Sequence, residues 1–162
     1  MTLQNVLKWL AAQPLLSTSR RWRLLTAAGF DVAEVGFEAN VQIHNSNLSI
    51  GRGSYVNREV LFEGIAPITI GRNVAIGPRV MIITSTHDLG PSEWRAGGGV
   101  PTSGAVVIGD GVWIGAGAII LPGTVIEKGC VIAAGAVVVG TCTADQLWAG
   151  VPAKAKSSLV RP

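Results

Sequence analysis

The sequence predicts an all-β fold, a parallel β-helix built on a hexapeptide repeat, and three observations predict it. From Ile108 onward one aliphatic residue recurs at every sixth position: Ile108, Ile114, Ile120, Ile126, Ile132 and Val138. Two places before each stands a small or short residue: Val106, Val112, Ala118, Thr124, Cys130 and Ala136. Glycine follows many of the aliphatics, as at Gly51, Gly71, Gly77, Gly109 and Gly115, where it suits a corner. Neither a helix, with a period of about 3.6, nor an ordinary strand, with a period of about 2, produces a repeat of six. A chain that turns a corner every six residues does, with one inward aliphatic per short strand.

The series runs backward through Ile70, Ile76 and Ile82, through Ile50, Val56 and Phe62, and begins at Phe37 and Ile43. It slips by one residue between Ile43 and Ile50 and by two between Phe62 and Ile70, where Gly64, Ala66 and Pro67 suggest a bulge. Between Ile82 and Ile108 a longer segment interrupts it. Three faces make one coil, so fourteen repeats give between four and five coils. The predicted organisation is an N-terminal helical segment over 1–34, a β-helix over 35–156 with an inserted loop over 88–105, and a short tail over 157–162.

Each coil buries its aliphatics only by stacking on its neighbours, at a spacing of about 4.8 Å. The outward residues Val107, Trp113, Ile119, Val125, Val131 and Val137 are all apolar, and residues eighteen apart, such as Trp113 and Val131, share a face. Apolar outer faces on a chain with only 14% charged residues point to self-association. A net charge of +3 is too mild to argue for nucleic acid. No apolar stretch reaches membrane-span length, and the N-terminus lacks the pattern of a secretory signal. Cys130 takes an inward small-residue position and Cys142, twelve residues on, falls on a different face, so no disulfide framework is expected. A reduced, cytoplasmic protein is the expectation. Residues 3–25 have helical apolar spacing, broken at Pro14, and Arg20, Arg21 and Arg23 make the second piece basic. They pack on the prism or a neighbour, with contact to a membrane surface as the alternative.

The chain has only two histidines. His87 stands where the repeat breaks, ahead of a segment with Gly90, Pro91, Gly97, Gly98, Gly99, Pro101 and Gly104. Long loops in compact domains are often functional, and an imidazole on a rigid scaffold is suited to proton transfer near neutral pH. A surface histidine in a loop is the alternative. His44 follows Ile43 and points outward. No Cys/His cluster has zinc-ligand spacing, and neither a Gly-x-Ser-x-Gly elbow nor a P-loop is present.

The repeat, the Thr86-His87-Asp88 segment, the run Ile108-Gly109-Asp110-Gly111-Val112-Trp113-Ile114-Gly115 and the ending Ala149-Gly150-Val151-Pro152-Ala153-Lys154 together resemble the hexapeptide-repeat acyltransferases. The resemblance covers about residues 35–156 and is nearest to the maltose/galactoside O-acetyltransferase-like branch, which includes bacterial polysaccharide O-acetyltransferases. It implies a left-handed β-helix and a homotrimer with acetyl-CoA, the acyl donor, in a groove between neighbouring prisms. It implies His87 as the general base that deprotonates an acceptor hydroxyl, with no metal required. Tyr55-Val56-Asn57-Arg58 resembles the family's Tyr-x-Asn segment, so Asn57 is expected to bind the acceptor; a turn asparagine is the plainer reading. Trp113 matches a tryptophan beside the active site, and Glu93 with Arg95 resembles a Glu-x-Arg element. Ala116 and Ala134 match backbone positions along the pantetheine arm, and Lys154, with Lys156 nearby, a basic position near the CoA phosphates.

The chain departs from the family's pattern in two places. Val139 and Gly140 stand where relatives often carry Thr-Lys near the adenine. The N-terminal segment does not match the acceptor-binding cap of the sugar acetyltransferases, which leaves polysaccharide precursors and other hydroxylated acceptors open. An N-acetyltransferase of the same fold and a non-catalytic scaffold are the rival readings.

Overall fold

The computed structural model describes residues 2–32, 34–45, 47–97 and 101–160. Gly98 and Gly99 of the expected loop, and the last two residues of the expected tail, lie outside them. The body is a left-handed parallel β-helix of about five turns, preceded by two helices.

Three sheets form the sides of the prism. The first face stacks Gly36–Phe37, Tyr55–Val56, Ala75–Ile76, Trp113–Ile114, Val131–Ile132 and Gln146–Ala149 in parallel. The second stacks Gln42–Ile43, Leu61–Glu63, Met81–Ile83, Ile119–Ile120 and Val137–Val138. The third stacks Leu48–Ile50, Ile68–Ile70, Val106–Ile108, Val125–Ile126 and Thr141–Cys142. The chain visits the faces in that order in every turn. Trp113 pairs with Val131, Val107 with Val125, and Ile119 with Val137, so residues eighteen apart do share a face.

The core is the ladder the repeat predicts. Ile114, Ile120, Ile126 and Ile132 are each 0% exposed, and so are the small residues Val112, Ala118, Thr124, Cys130 and Ala136. Both cysteines are free and buried, on different strands, and burial pushes the Cys142 thiol up to about 12. The apolar outward row is spread over all three faces, unevenly. The third face shows Ser49, Thr69 and Thr141 outward beside Val107 and Val125, the second shows Gln42 beside Leu61, Met81, Ile119 and Val137, and the first shows Tyr55, Ala75, Trp113, Val131 and Leu147. All three faces therefore carry outward apolar residues.

Helix α1 spans Leu3–Ala12, capped by Thr2, whose Oγ1 accepts from the Asn5 N–H at 3.3 Å. It ends at Gln13, which the following Pro14 holds extended. Helix α2 spans Arg21–Ala27 and buries Leu25 against the first coil. Arg21 is only 2% exposed; it donates to the Phe37 carbonyl and to the Gln13 carbonyl, each at 2.9 Å, tying both helices to the prism. The helical segment thus packs on the prism, although Leu3, Trp9 and Leu15 stay exposed. Among the described residues no helix is long and apolar enough to cross a membrane.

At the other end the chain does not run out as a polar tail after Pro152. Residues Lys154–Ser158 return as a strand antiparallel to Gln146–Ala149, with Ala149 opposite Lys154. A terminal strand has only one neighbour below it, and this return covers its open edge.

Coil stacking is tight enough to exclude a methyl group at some corners. A Cβ on Gly115 would lie 2.5 Å from the Ala134 nitrogen and 2.9 Å from the Ala133 carbonyl carbon. Gly115→Ala is expected to cost about 1–3 kcal/mol by overpacking, and Ile120→Ala about 2–5 kcal/mol by cavity formation. Guanidinium unfolding checks both; a loss below about 0.5 kcal/mol for either, the range of a neutral surface change, contradicts the tight ladder.

Candidate active site

The edge between the first and second faces gathers four of the residues singled out from the sequence. Asn57 begins the second turn of this edge from the N-terminal end, after the buried Val56, and its Oδ1 accepts from the Arg58 N–H at 2.8 Å. Its own N–H donates to the Ile76 carbonyl at 3.0 Å, which fixes the backbone and leaves the carboxamide NH2 for a ligand. Above it the Gly117 N–H donates to the Pro78 carbonyl and the Gly135 N–H to the Ala116 carbonyl, both at 2.9 Å. Ala116 and Ala134 are exposed along this column, which presents backbone and methyl groups to the outside. Trp113, 58% exposed, stands on the first face just before the turn that carries Ala116.

His87, Glu93 and Arg95 are elsewhere. The inserted loop leaves the prism at the edge between the second and third faces, and its base is an antiparallel pair, Ser85–Thr86 with Thr102–Ser103. His87 follows Thr86 directly and is exposed. One face separates it from Asn57, on the order of 10–15 Å for a strand and its flanking residues at about 3.3 Å each. Within a single prism His87 and Asn57 do not meet.

The loop is internally ordered around a tight turn. The Gly90 N–H donates to the Arg95 carbonyl at 2.8 Å, and Arg95 Nη1 returns to the Gly90 carbonyl at 3.1 Å. The Trp94 indole lies across Gly97, where a Cβ would overlap it. Arg95 thus spends part of its fork on its own loop. Glu93 is fully exposed, and backbone and Ser92 hydrogen bonds hold its carboxyl below the usual value.

A buried polar group that periodicity does not reveal supports the loop's departure point. Asn45, 1% exposed, donates to the Ala66 carbonyl at 2.7 Å and to Thr84 Oγ1 at 3.4 Å. Thr84, 0% exposed, donates to the Glu63 carbonyl at 3.2 Å. The signal in the sequence is polar residues at inward positions, just where the register slips.

Lys154 and Lys156 are exposed on the final strand. Trp148 pairs with Ala155 and Leu147 with Ser157, so Lys156 is the bulged residue and the two lysines do not simply share a strand face. Val139 and Gly140 fall on the edge that carries the His87 loop. Among the described residues no three His, Cys, Asp or Glu side chains come together to hold a metal ion.

A family model for the bacterial transferase hexapeptide (six repeats) matches residues 105–140. A maltose O-acetyltransferase from Clostridium difficile superposes with a TM-score of 0.86 at 27% identity, covering 98% of this chain and 85% of that one. A hexapeptide-repeat containing acetyltransferase from Vibrio cholerae is 30% identical, with a TM-score of 0.79 over 98% of this chain and 89% of that one. The chain belongs to the hexapeptide-repeat acyltransferases. The same Vibrio cholerae acetyltransferase has also been solved in complex with acetyl coenzyme A, and this chain matches that structure with a TM-score of 0.81 at 28% identity, covering 98% of this chain and 86% of that one. Among curated proteins of the family, Nodulation protein L of Rhizobium meliloti is 34% identical over 83 residues, 49% of this chain. The chain spans only 45% of that relative's length.

Beneath Asn57 the Tyr55 hydroxyl donates to Glu38 Oε1 at 2.6 Å. This bond is the main reason the Glu38 carboxyl sits below its ordinary value of 4.5, with a bond from Thr18 adding to it. A depressed carboxylate contributes stability above its unfolded value, and that contribution is lost as pH falls through the lower folded value. Tyr55→Phe should therefore destabilise the protein at neutral pH and make stability less sensitive to acid below about pH 4.5. Thermal melts of both proteins across pH 3 to 7 test it; parallel curves would show that the bond carries no linkage.

Proposed function

We propose that the chain moves an acetyl group from acetyl-CoA to a hydroxyl of a sugar or polysaccharide precursor, with His87 as the general base. The observation that carries this is the exposed small-residue column of Ala116 and Ala134 at one edge, with Asn57 below it and Trp113 beside it. The acetyl-CoA complex of the Vibrio cholerae relative supports the donor, and the maltose O-acetyltransferase supports a sugar hydroxyl as acceptor. The free, buried cysteines fit a reducing cytoplasm, where acetyl-CoA is available.

The chemistry needs a base because an alcohol is a poor nucleophile at neutral pH. His87 takes the hydroxyl proton as the acceptor oxygen attacks the thioester carbonyl carbon. Backbone N–H groups along the column meet the developing oxyanion. The C–S bond then breaks, and the proton held by His87 passes to the departing sulfur, which restores neutral imidazole. Asn57 holds the acceptor through its carboxamide. Glu93 and Arg95 offer further acceptor contacts from the loop, and Lys154 with Lys156 meets the CoA phosphates at the far end of the column.

Since one face separates Asn57 from His87, the complete site is placed between copies. Setting the first face of one prism against the third face of the next would bring the Asn57 edge of one copy to the His87 edge of its neighbour, and the outward Trp113 and Val131 of the first face and Val107 and Val125 of the third favour this contact. Two different apolar faces on one chain join head to tail, and such contacts close into a ring; a homotrimer is the proposed closure.

His87→Ala should lower kcat by about 10²–10⁴-fold, the usual worth of a general base. It should leave stability and CoA binding unchanged, with His44→Ala as the silent control. Asn57→Ala should raise KM for the acceptor and not for acetyl-CoA. Replacing residues 89–104 by a Gly/Ser linker should abolish acceptor-dependent turnover and spare CoA binding. Steady-state kinetics and CoA calorimetry read all three. His87→Ala activity within tenfold of wild type removes His87 from the role.

A further inference from the structure

The edge that carries Asn57 also carries two guanidinium groups that the proposed transfer does not use. Arg58 follows Asn57, and Arg79 stands one coil above, its N–H donating to the Arg58 carbonyl at 3.1 Å. The two line one open depression with Pro78, Ala116 and Gly117, at the foot of the column. Arg79 Nε donates to Glu59 Oε2 at 2.7 Å, which offsets one charge but leaves both terminal nitrogens of Arg79 without a protein partner among the described residues. No carboxylate among the described residues lies within 4.0 Å of Arg58. The nearby Glu38 is engaged by Tyr55 and Thr18.

The backbone adds an independent observation. Along this edge the upper turns place Gly117 and Gly135 in the left-handed region, with φ of 68° and 69°. The lower turns place Glu59 and Arg79 in the same region, with φ of 61° and 59°. Glycine adopts that conformation freely; glutamate and arginine do so at a cost. Asn40 takes the same place one turn lower, with φ of 62°, so the charged pair occupies positions that only the upper turns fill with glycine.

CoA does not account for these arginines. The basic residues at the phosphate end, Lys154 and Lys156, lie about four coil spacings away, on the order of 19 Å. Arg58 and Arg79 are at the acceptor end. We infer that the acceptor carries an anionic group, a carboxylate or a phosphate, close to the hydroxyl that is acetylated, and that Arg58 with Arg79 binds it. A guanidinium presents paired N–H donors that match either oxyanion. The two sources are a uronic acid residue and a sugar held through a phosphate linkage. This inference rests on the placement of the acceptor at Asn57.

The test measures binding without turnover. Ligand-observed NMR on the intact protein with CoA present compares D-glucose, D-glucuronate and glucose 1-phosphate. At least one of the two anions is expected to bind about 10–100-fold more tightly than glucose, the range of hydrogen bonds to charged groups. That advantage should shrink with added salt, disappear in Arg58→Ala and be partly retained in Arg58→Lys. Which anion wins identifies the source. Arg58→Ala should leave KM for acetyl-CoA unchanged. Equal affinity for glucose and both anions, unaltered anion binding in Arg58→Ala, or a raised KM for acetyl-CoA in that variant each overturns the inference. A protein that binds the anions through Arg58 but transfers no acetyl group contradicts the transferase reading and upholds the subsite. One that acetylates glucose with no preference for anions does the reverse.

Discussion

Each coil is joined to the next by parallel backbone hydrogen bonds, Trp113 N–H to the Cys130 carbonyl at 2.9 Å and Gly115 N–H to the Ile132 carbonyl at 2.8 Å, and so on around every face. A parallel ladder with a small corner at each turn allows one register: a shift by one residue would turn Ile114 and Ile132 out and Trp113 and Val131 in. The outward columns are then fixed as strictly as the core. Asn57, Pro78, Ala116 and Ala134 come to one edge because the chain reaches that corner once in every turn, although 77 positions separate the first from the last. A rigid, one-dimensional scaffold of this kind builds a long groove from residues that are scattered in the sequence.

The same rigidity divides the labour. The stacked edge offers fixed backbone and small side chains, suited to an extended donor. The inserted loop carries the His87 imidazole together with Glu93, Trp94 and Arg95. It leaves the prism at the corner where Asn45 and Thr84 are buried and hydrogen-bonded to each other, so its base is held by buried hydrogen bonds. The loop leaves one edge of the prism and Asn57 stands on another, and in the proposed function a second copy brings the two edges together, with outward apolar residues of the first and third faces between them.

The β-helix was legible in the sequence because one inward aliphatic per six residues is a strong signal and the fold leaves it no alternative. The slips after Ile43 and Phe62 and the break after Ile82 all fall on the edge between the second and third faces, where the loop departs. The return strand Lys154–Ser158 was not legible, since an exposed antiparallel edge requires no hydrophobic period. Arg58 and Arg79 were passed over for a related reason: single charged residues at a corner read as solvent-facing until stacking puts them one above the other. For His87 and Asn57 the residues were visible from their resemblance to family motifs, but their separation by a whole face follows only from the order of strands.

Mixing two impaired chains tests the shared site most directly. His87→Ala and Asn57→Ala proteins, denatured together in equal amounts and refolded, are assayed for acetyl transfer at an acceptor concentration well below KM. If each site takes His87 from one copy and Asn57 from its neighbour, random assembly leaves about a quarter of the sites intact, and activity should return to about that fraction of wild type. If both residues act within one chain, no mixture holds an intact site. Activity that stays at the level of the separate variants, in a mixture shown by light scattering to have reassembled, would contradict the placement of the site between copies.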